Sequence, residues 1–210
     1  MAAFDKILSG VAQMDDVLDF IRLGDNVVWQ ISDLEEFRIF AEPFARQAVI
    51  DGRNIIYIRF AQHDPVLRDL TGIQVRQFDP DEGFEAFTVA IHEEITRQGR
   101  DAFYVFDCLS DLQSVWYTDL MMGNFFRVTC PYLFELDTVA YFPLIRGRHS
   151  FDAVARIWDT TQLLLNVYSN EKYVYLHPMK VWKWYSEQMF LPHCLKKGLR
   201  IFLWCLTASA

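Results

Sequence analysis

Residues 27–44 read Val-Val-Trp-Gln-Ile, then Ser-Asp-Leu-Glu-Glu-Phe-Arg, and then Ile-Phe-Ala-Glu-Pro-Phe. The first run, rich in β-branched and aromatic residues, predicts a buried central strand. The following residues predict a helix over 34–50, which Pro43 kinks or divides. Ser32 and Glu35 have the spacing of a capping box, in which the serine accepts the third helical N–H and the glutamate reaches back. The stretch therefore predicts a strand, a tight turn and a helix.

The turn between this strand and helix carries carboxylates. In nucleotide-binding α/β proteins the corresponding turn is rich in glycine and ends in a lysine, so that backbone N–H groups hold phosphates at the helix N-terminus. Here the turn has neither residue type, and Asp33, Glu35 and Glu36 occupy the first helical turn. The helix dipole favours each of these carboxylates by roughly 0.3–1 kcal/mol. We therefore interpret the turn as a phosphate-binding architecture that has lost its site.

Length and composition predict one α/β domain with a tail. The chain has 210 residues, 52% of them hydrophobic, which is enough for one sizeable core. Its net charge of −8 argues against nucleic acid or an anionic membrane as a partner. The four cysteines lack a C-x-x-C pair, which predicts reduced thiols and no structural zinc. No apolar run approaches the ~18 residues of a spanning helix, so we expect a soluble, cytoplasmic protein.

The rest of the chain alternates strand and helix patterns. Strands are predicted at 54–60, 73–78, 102–107 and 138–145, with helices at 84–98, 110–129 and 151–157. Pro131 is expected to close the second of these helices, and 134–136 to start another short segment. Residues 161–168 and 173–177 predict a late antiparallel β-ribbon. This order predicts a mainly parallel sheet flanked by helices over residues 1–190. Residues 191–210 form a tail that is a linker, a docking peptide or a segment without a role.

Three stretches carry a resemblance to a known superfamily: residues 24–44, residues 54–65, and Phe-Tyr-Val-Phe-Asp-Cys-Leu-Ser at 103–110. With them, residues 8–190 resemble the RecA-like, P-loop NTPase-type core of KaiC-like ATPases. The Trp-Gln, Arg-Phe-Ala, Phe-Asp-Cys-Leu-Ser-Asp-Leu and Gly-Asn-Phe-Phe segments resemble, more narrowly, the N-terminal domain of phosphoenolpyruvate synthase and pyruvate phosphate dikinase-like proteins. The resemblance implies that the partner is a second copy or a phosphoenolpyruvate-utilising protein.

The resemblance implies a loss of every phosphate-binding position in the loop. The segment that matches G-x-x-x-x-G-K-[ST] runs from Ile31 to Arg38, so its glycines fall on Ile31 and Glu36 and its lysine on Phe37. The magnesium-binding hydroxyl falls on Arg38. The degenerate phosphate loop therefore comprises Ile31, Ser32, Asp33, Glu36, Phe37 and Arg38.

The other catalytic positions are also altered. Ala61 and Gln62 stand where the family has catalytic glutamates, and Gln62 cannot take a proton from water. Asp107 is the one acidic position retained, at the Walker B-like position that would hold magnesium. We expect no cofactor and no resident metal, with Asp107 as a weak metal candidate. Asp107 is otherwise a strand-end residue that accepts hydrogen bonds from a neighbouring loop.

Arg146, Arg148 and His149 are the remaining candidates for binding an anion. They cluster after a predicted strand, and two of them are guanidinium groups, which bind phosphate and carboxylate in a bidentate manner. The alternative is an exposed salt-bridged surface.

Two functions are consistent with the sequence. The first is a non-catalytic domain, a pseudo-ATPase, that acts by self-association or by binding a partner. The second is a sensor or phosphotransferase component that binds a nucleotide or another phosphorylated ligand through Asp107 with Arg146 or Arg148.

Overall fold

The computed structural model describes residues 4–116, 118–182, 184 and 189–196. The strands are β1 (Lys6–Ile7), β2 (Ile21–Arg22), β3 (Asn26–Ile31), β4 (Ile55–Arg59), β5 (Gln74–Gln77), β6 (Phe103–Phe106), β7 (Val139–Ile145), β8 (Leu163–Ser169), β9 (Tyr173–Val181) and β10 (His193–Lys196). The α-helices are α1 (Ala12–Leu18), α2 (Leu34–Ile50), α3 (Phe84–Gln98), α4 (Asp119–Glu135) and α5 (Phe151–Thr160), and short 3-10 turns span Pro80–Glu82 and Leu109–Ser114.

Eight of the strands form one mixed sheet. Its order is β10-β9-β8-β3-β7-β6-β4-β5, and a separate two-stranded sheet joins β1 to β2. The six strands from β8 to β5 are parallel, whereas β9 and β10 are antiparallel to their neighbours. The prediction of a mainly parallel α/β sheet with a late antiparallel ribbon is confirmed. The ribbon also includes β10, which lies within the predicted tail of residues 191–210. The rest of that tail, residues 197–210, lies outside the described residues.

The helices cover both faces of this sheet, and each face has its own apolar core. Side chains alternate along a strand, so Trp29 of β3 faces α2, while Val28 faces α3, α4 and α5. On the first face Trp29 stacks on Phe40 with ring centroids 4.5 Å apart, and Phe44 stacks on Tyr141 at 4.0 Å. Large aromatic rings therefore hold α2 against the centre of the sheet.

The predicted boundaries of α4 were wrong. The helix begins at Asp119 rather than at residue 110, and it continues through Pro131 to Glu135. Residues 134–136, predicted to start a new segment, lie instead at its end. Proline removes the hydrogen bond to the carbonyl four residues earlier, here that of Arg127. Arg127 and Pro131 are both exposed, so water can satisfy that carbonyl, while buried Cys130 and Leu133 keep the helix packed.

Within the part of the chain that the structure describes, every helix is too short or too polar to pass through a lipid bilayer.

Candidate functional site

The predicted site residues meet at the carboxyl edge of the parallel strands, where open α/β sheets bind their ligands. Ser32 follows β3, Asp107 follows β6, and Arg146 follows β7. The segment 60–64 follows β4 and adjoins Asp107. The order of strands along the edge therefore brings residues from four parts of the sequence into one region.

The Asp107 carboxylate is fully buried and is occupied by groups of the protein itself. One oxygen accepts the Tyr57 hydroxyl at 2.5 Å. The other accepts the backbone N–H groups of Phe60 and Ala61 at 3.0 and 3.2 Å, and Arg59 Nε lies 3.0 Å from it. A carboxylate with these four neighbours joins the ends of β4 and β6 and has little remaining capacity for a metal ion.

Tyr57 extends this network towards the loop after β4. Its hydroxyl donates to Asp107 and accepts the Val66 N–H at 2.7 Å. Burial raises the pKa of Tyr57 well above its usual range, and the charge and hydrogen bond of Asp107 raise it further. The phenol therefore stays protonated and serves as a fixed donor to Asp107.

The turn after β3 is capped one residue later than predicted. Asp33, not Ser32, is the N-cap, and its carboxylate accepts the Glu36 N–H at 3.0 Å. Glu36, not Glu35, reaches back and accepts the Ser32 N–H at 2.6 Å. The shift follows from packing, because Glu36 is buried whereas Glu35 lies on the exposed side of α2. Two N–H groups of the turn are thus occupied by carboxylates of the turn.

Phe37 and Arg38, which the resemblance aligns with the lysine and hydroxyl positions, are both engaged within the protein. Phe37 is fully buried on α2's inner face, with its ring centroid 6.3 Å from that of Trp29. Arg38 donates through Nε to the Val66 carbonyl at 2.7 Å and through Nη2 to the Pro65 carbonyl at 3.2 Å, and it pairs with Glu35. Both residues therefore hold α2 in place, one against the sheet and one against the loop after β4.

Arg146 lies beside the turn after β3. Its backbone N–H donates to the Ile31 carbonyl at 2.7 Å. Its guanidinium donates to the Gln30 carbonyl at 3.4 Å, to the Val167 carbonyl and to Ser32 Oγ at 3.4 Å. The guanidinium carbon is also 4.0 Å from the ring centroid of Tyr168. Arg146 thus links the ends of β3, β7 and β8.

Arg148 and His149 do not combine with Arg146 into one anion site. Arg148 faces Asp111 at 3.3 Å on the surface. His149 is buried, with Nδ1 2.7 Å from Asp119 Oδ1 and Nε2 2.7 Å from Ser110 Oγ. The cluster that is continuous in sequence is therefore divided among three local networks in space.

Ser110, His149 and Asp119 have the connectivity of a Ser-His-Asp relay. Burial acts to raise the pKa of Asp119, but hydrogen bonds from Ser150 and His149 outweigh it and lower that pKa. Ser110 is only 2% exposed, and its oxygen already accepts the Ile145 N–H at 2.8 Å. The relay therefore holds the turns after β6 and β7 together and does not present a nucleophile to a substrate.

Several residues of this edge were not singled out as site residues from the sequence. Tyr57, Arg59 and Ser110 lie within predicted elements, and Asp119 lies in a predicted helix. Each gains its role from a partner 39 to 50 residues away, or 30 in the case of Asp119. The one sequence signal was the polar residues that follow predicted strands.

Other parts of the described chain give no further ligand set. Among residues 4–182, apart from Tyr117, and the later described residues, no group of three or more His, Cys, Asp or Glu side chains could hold a metal ion. No model of a known protein family matches the sequence, and no curated protein sequence matches it either.

Proposed function

We propose that this chain is a RecA-like domain that no longer binds or hydrolyses nucleotide and that acts by association, with itself or with a phosphoenolpyruvate-utilising protein. The observation that carries the proposal is the occupation of Asp107, the retained Walker B-like residue, by Tyr57, Phe60, Ala61 and Arg59. A magnesium ion would have to displace these groups from a buried carboxylate.

The phosphate side of the edge supports the same proposal. Carboxylates of the turn accept its N–H groups, and the position of the phosphate lysine holds a buried phenylalanine. Arg146, the nearby cation, donates to backbone carbonyls. A phosphate arriving at this turn would meet negative charge from Asp33 and Glu36, and it would have to draw the Arg146 guanidinium away from its carbonyl partners.

The order of strands supports the RecA-like part of the proposal. β3 lies between β7 and β8, and β7 separates it from β6, the strand that precedes Asp107. The resemblance to RecA-like ATPases implies a mainly parallel sheet flanked by helices, and the six parallel strands from β8 to β5 agree with that coarser expectation.

Thermal unfolding with ligands tests the loss of the nucleotide site. ATP, ADP, phosphoenolpyruvate and pyruvate would each be added with magnesium to the full chain. A ligand at ~100 times its Kd stabilises a protein by about 2.7 kcal/mol, which is roughly 5–10 °C for a chain of this length. We expect no shift with any of the four.

A shift with one ligand that Arg146→Gln removes would overturn the proposal and support a phosphorylated-ligand sensor. The control is Arg97→Gln, which changes an exposed charge on α3, on the other face of the sheet. Analytical ultracentrifugation tests the association. A strict monomer at high concentration that also captures no phosphoenolpyruvate-utilising protein would contradict that part of the proposal.

A further inference from the structure

The outer surface of α2 carries a row of charged and apolar side chains. The row comprises Glu35, Ile39, Glu42, Arg46 and Ile50, at the spacing of one helical face. It lies opposite the buried aromatic residues that hold α2 against the sheet. Glu35 and Arg46 are exposed, and Ile50 is 69% exposed, which is high for an isoleucine.

A concave surface runs beside this row. Three cavities of about 250, 450 and 210 Å³ lie along α2 and share lining residues with one another. The loop after β4 forms the opposite wall, where Leu67, Arg68 and Leu70 line the largest cavity. Apolar groups and charges of both signs therefore line one continuous groove.

We propose that this row is a two-fold interface at which α2 of one copy lies antiparallel to α2 of a second copy. The proposal names the surface for the association put forward above and rests on it. The argument for a second copy is that Glu35 and Arg46, the two outer charges of the row, are complementary to each other in an antiparallel pair. Glu35 and Arg46 are 11 residues apart, which is about three turns and roughly 16 Å of helix.

In the antiparallel arrangement, Glu35 of each copy faces Arg46 of the other. A two-fold interface requires this reciprocity, because each residue must suit the position opposite to it. The axis passes between Ile39 and Glu42, so near the centre Ile39 of each copy faces Glu42 of the other. A partner with one sign of charge would match only one end of the row.

The charges set the orientation more than the affinity. Glu35 already pairs with Arg38 and lies 3.3 Å from Arg68 Nη2, and exposed ion pairs contribute little. Like charges placed opposite each other, in contrast, are clearly unfavourable. Charge reversal is therefore a sharper test than charge removal.

The test uses analytical ultracentrifugation of the full chain and of two single reversals, Glu35→Arg and Arg46→Glu. We expect the wild-type protein to form a species of twice its 24.7 kDa mass. Each reversal alone places like charges opposite each other and should weaken the dimer by about ten-fold or more. Glu93→Arg, an exposed reversal on α3, is the matched control and should leave the dimer unchanged.

An equimolar mixture of the two reversal variants gives the decisive result. In the mixed pair, residue 35 of each copy faces an opposite charge at residue 46 of the other. The mixture should therefore recover a dimer of wild-type affinity. A monomeric wild-type protein, a dimer insensitive to both reversals, or a mixture that stays dissociated would overturn the α2 interface. None of these results changes the nucleotide experiment, so failure of the interface and failure of the lost-nucleotide-site proposal are distinguishable.

Discussion

Replacing Asp107 with alanine should lower the free energy of unfolding. It should not change the binding of any ligand, because we propose that Asp107 binds none. The substitution removes the acceptor of the Tyr57 hydroxyl and of the Phe60 and Ala61 N–H groups, and it removes the counter-charge of Arg59. A buried donor left without a partner costs about 1–3 kcal/mol. Tyr57 and Phe60 are buried, whereas Ala61 and Arg59 are partly exposed and can bind water.

Two buried donors and one partly solvated charge together give a loss of about 3–5 kcal/mol, the range for breaking a buried ion pair from one side. Urea unfolding followed by tryptophan fluorescence measures this loss as a lower midpoint at an unchanged slope. Asp107→Asn keeps an acceptor for Tyr57 and should cost less, which covers the case in which the alanine variant does not fold.

The matched control is Asp111→Ala. Asp111 faces Arg148 at the surface, where an exposed pair contributes at most about 1 kcal/mol. If Asp107→Ala lowered the free energy of unfolding by no more than Asp111→Ala, the carboxylate would not be the anchor described above. The reasoning against a ligand at Asp107 would then fail.

Three further outcomes are expected from other parts of the fold. Asp33→Ala removes the N-cap of α2 and should cost about 1 kcal/mol in urea unfolding, whereas Ser32→Ala should cost less, because Ser32 is not the cap. Burial, with a smaller contribution from the charge of Asp111, raises the pKa of Cys108 to about 11. Cys108 should therefore react with thiol reagents at pH 8 only after unfolding. Because the folded thiol holds its proton more tightly than the unfolded one, the contribution of Cys108 to the free energy of unfolding is complete below about pH 9, the ordinary thiol value, and is lost as the pH rises towards 11. Trp184→Ala removes the hydrogen bond to the Leu18 carbonyl at 2.8 Å and a half-buried ring, and thermal unfolding should show a loss of about 2–3 kcal/mol, below that of a fully buried tryptophan.

Local pattern was enough for the elements that have strong periodicity. The predicted helices at 34–50 and 84–98 coincide with α2 and α3, and the predicted strand at 27–31 differs from β3 by one residue. In each case the apolar spacing and the flanking turn residues agree with each other. The predicted start of α4 failed because residues 109–114 form a 3-10 turn, whose apolar spacing resembles the first turns of an α-helix.

The cap of α2 shows the limit of a local pattern more clearly. Ser32 with Glu35 and Asp33 with Glu36 have the same spacing, so the sequence offers two equivalent boxes. Which pair forms depends on which glutamate turns towards the protein, and the packing of Phe37, Phe40 and Phe44 against the sheet selects Glu36.

Hydrophobic periodicity and turn chemistry thus specify the strand-turn-helix at residues 26–50 and the alternation that makes the sheet parallel, since both act between near neighbours in the chain. The state of the carboxyl edge depends on contacts across long sequence separations. Asp107 meets Tyr57 across 50 residues, and Arg146 meets Ser32 across 114. No local signal in the sequence predicts these contacts, because they follow from the order in which the strands pair. The sequence alone therefore shows that the turn after β3 carries carboxylates and has no glycine or lysine, while the groups that surround Asp107 become visible only when the sheet is assembled.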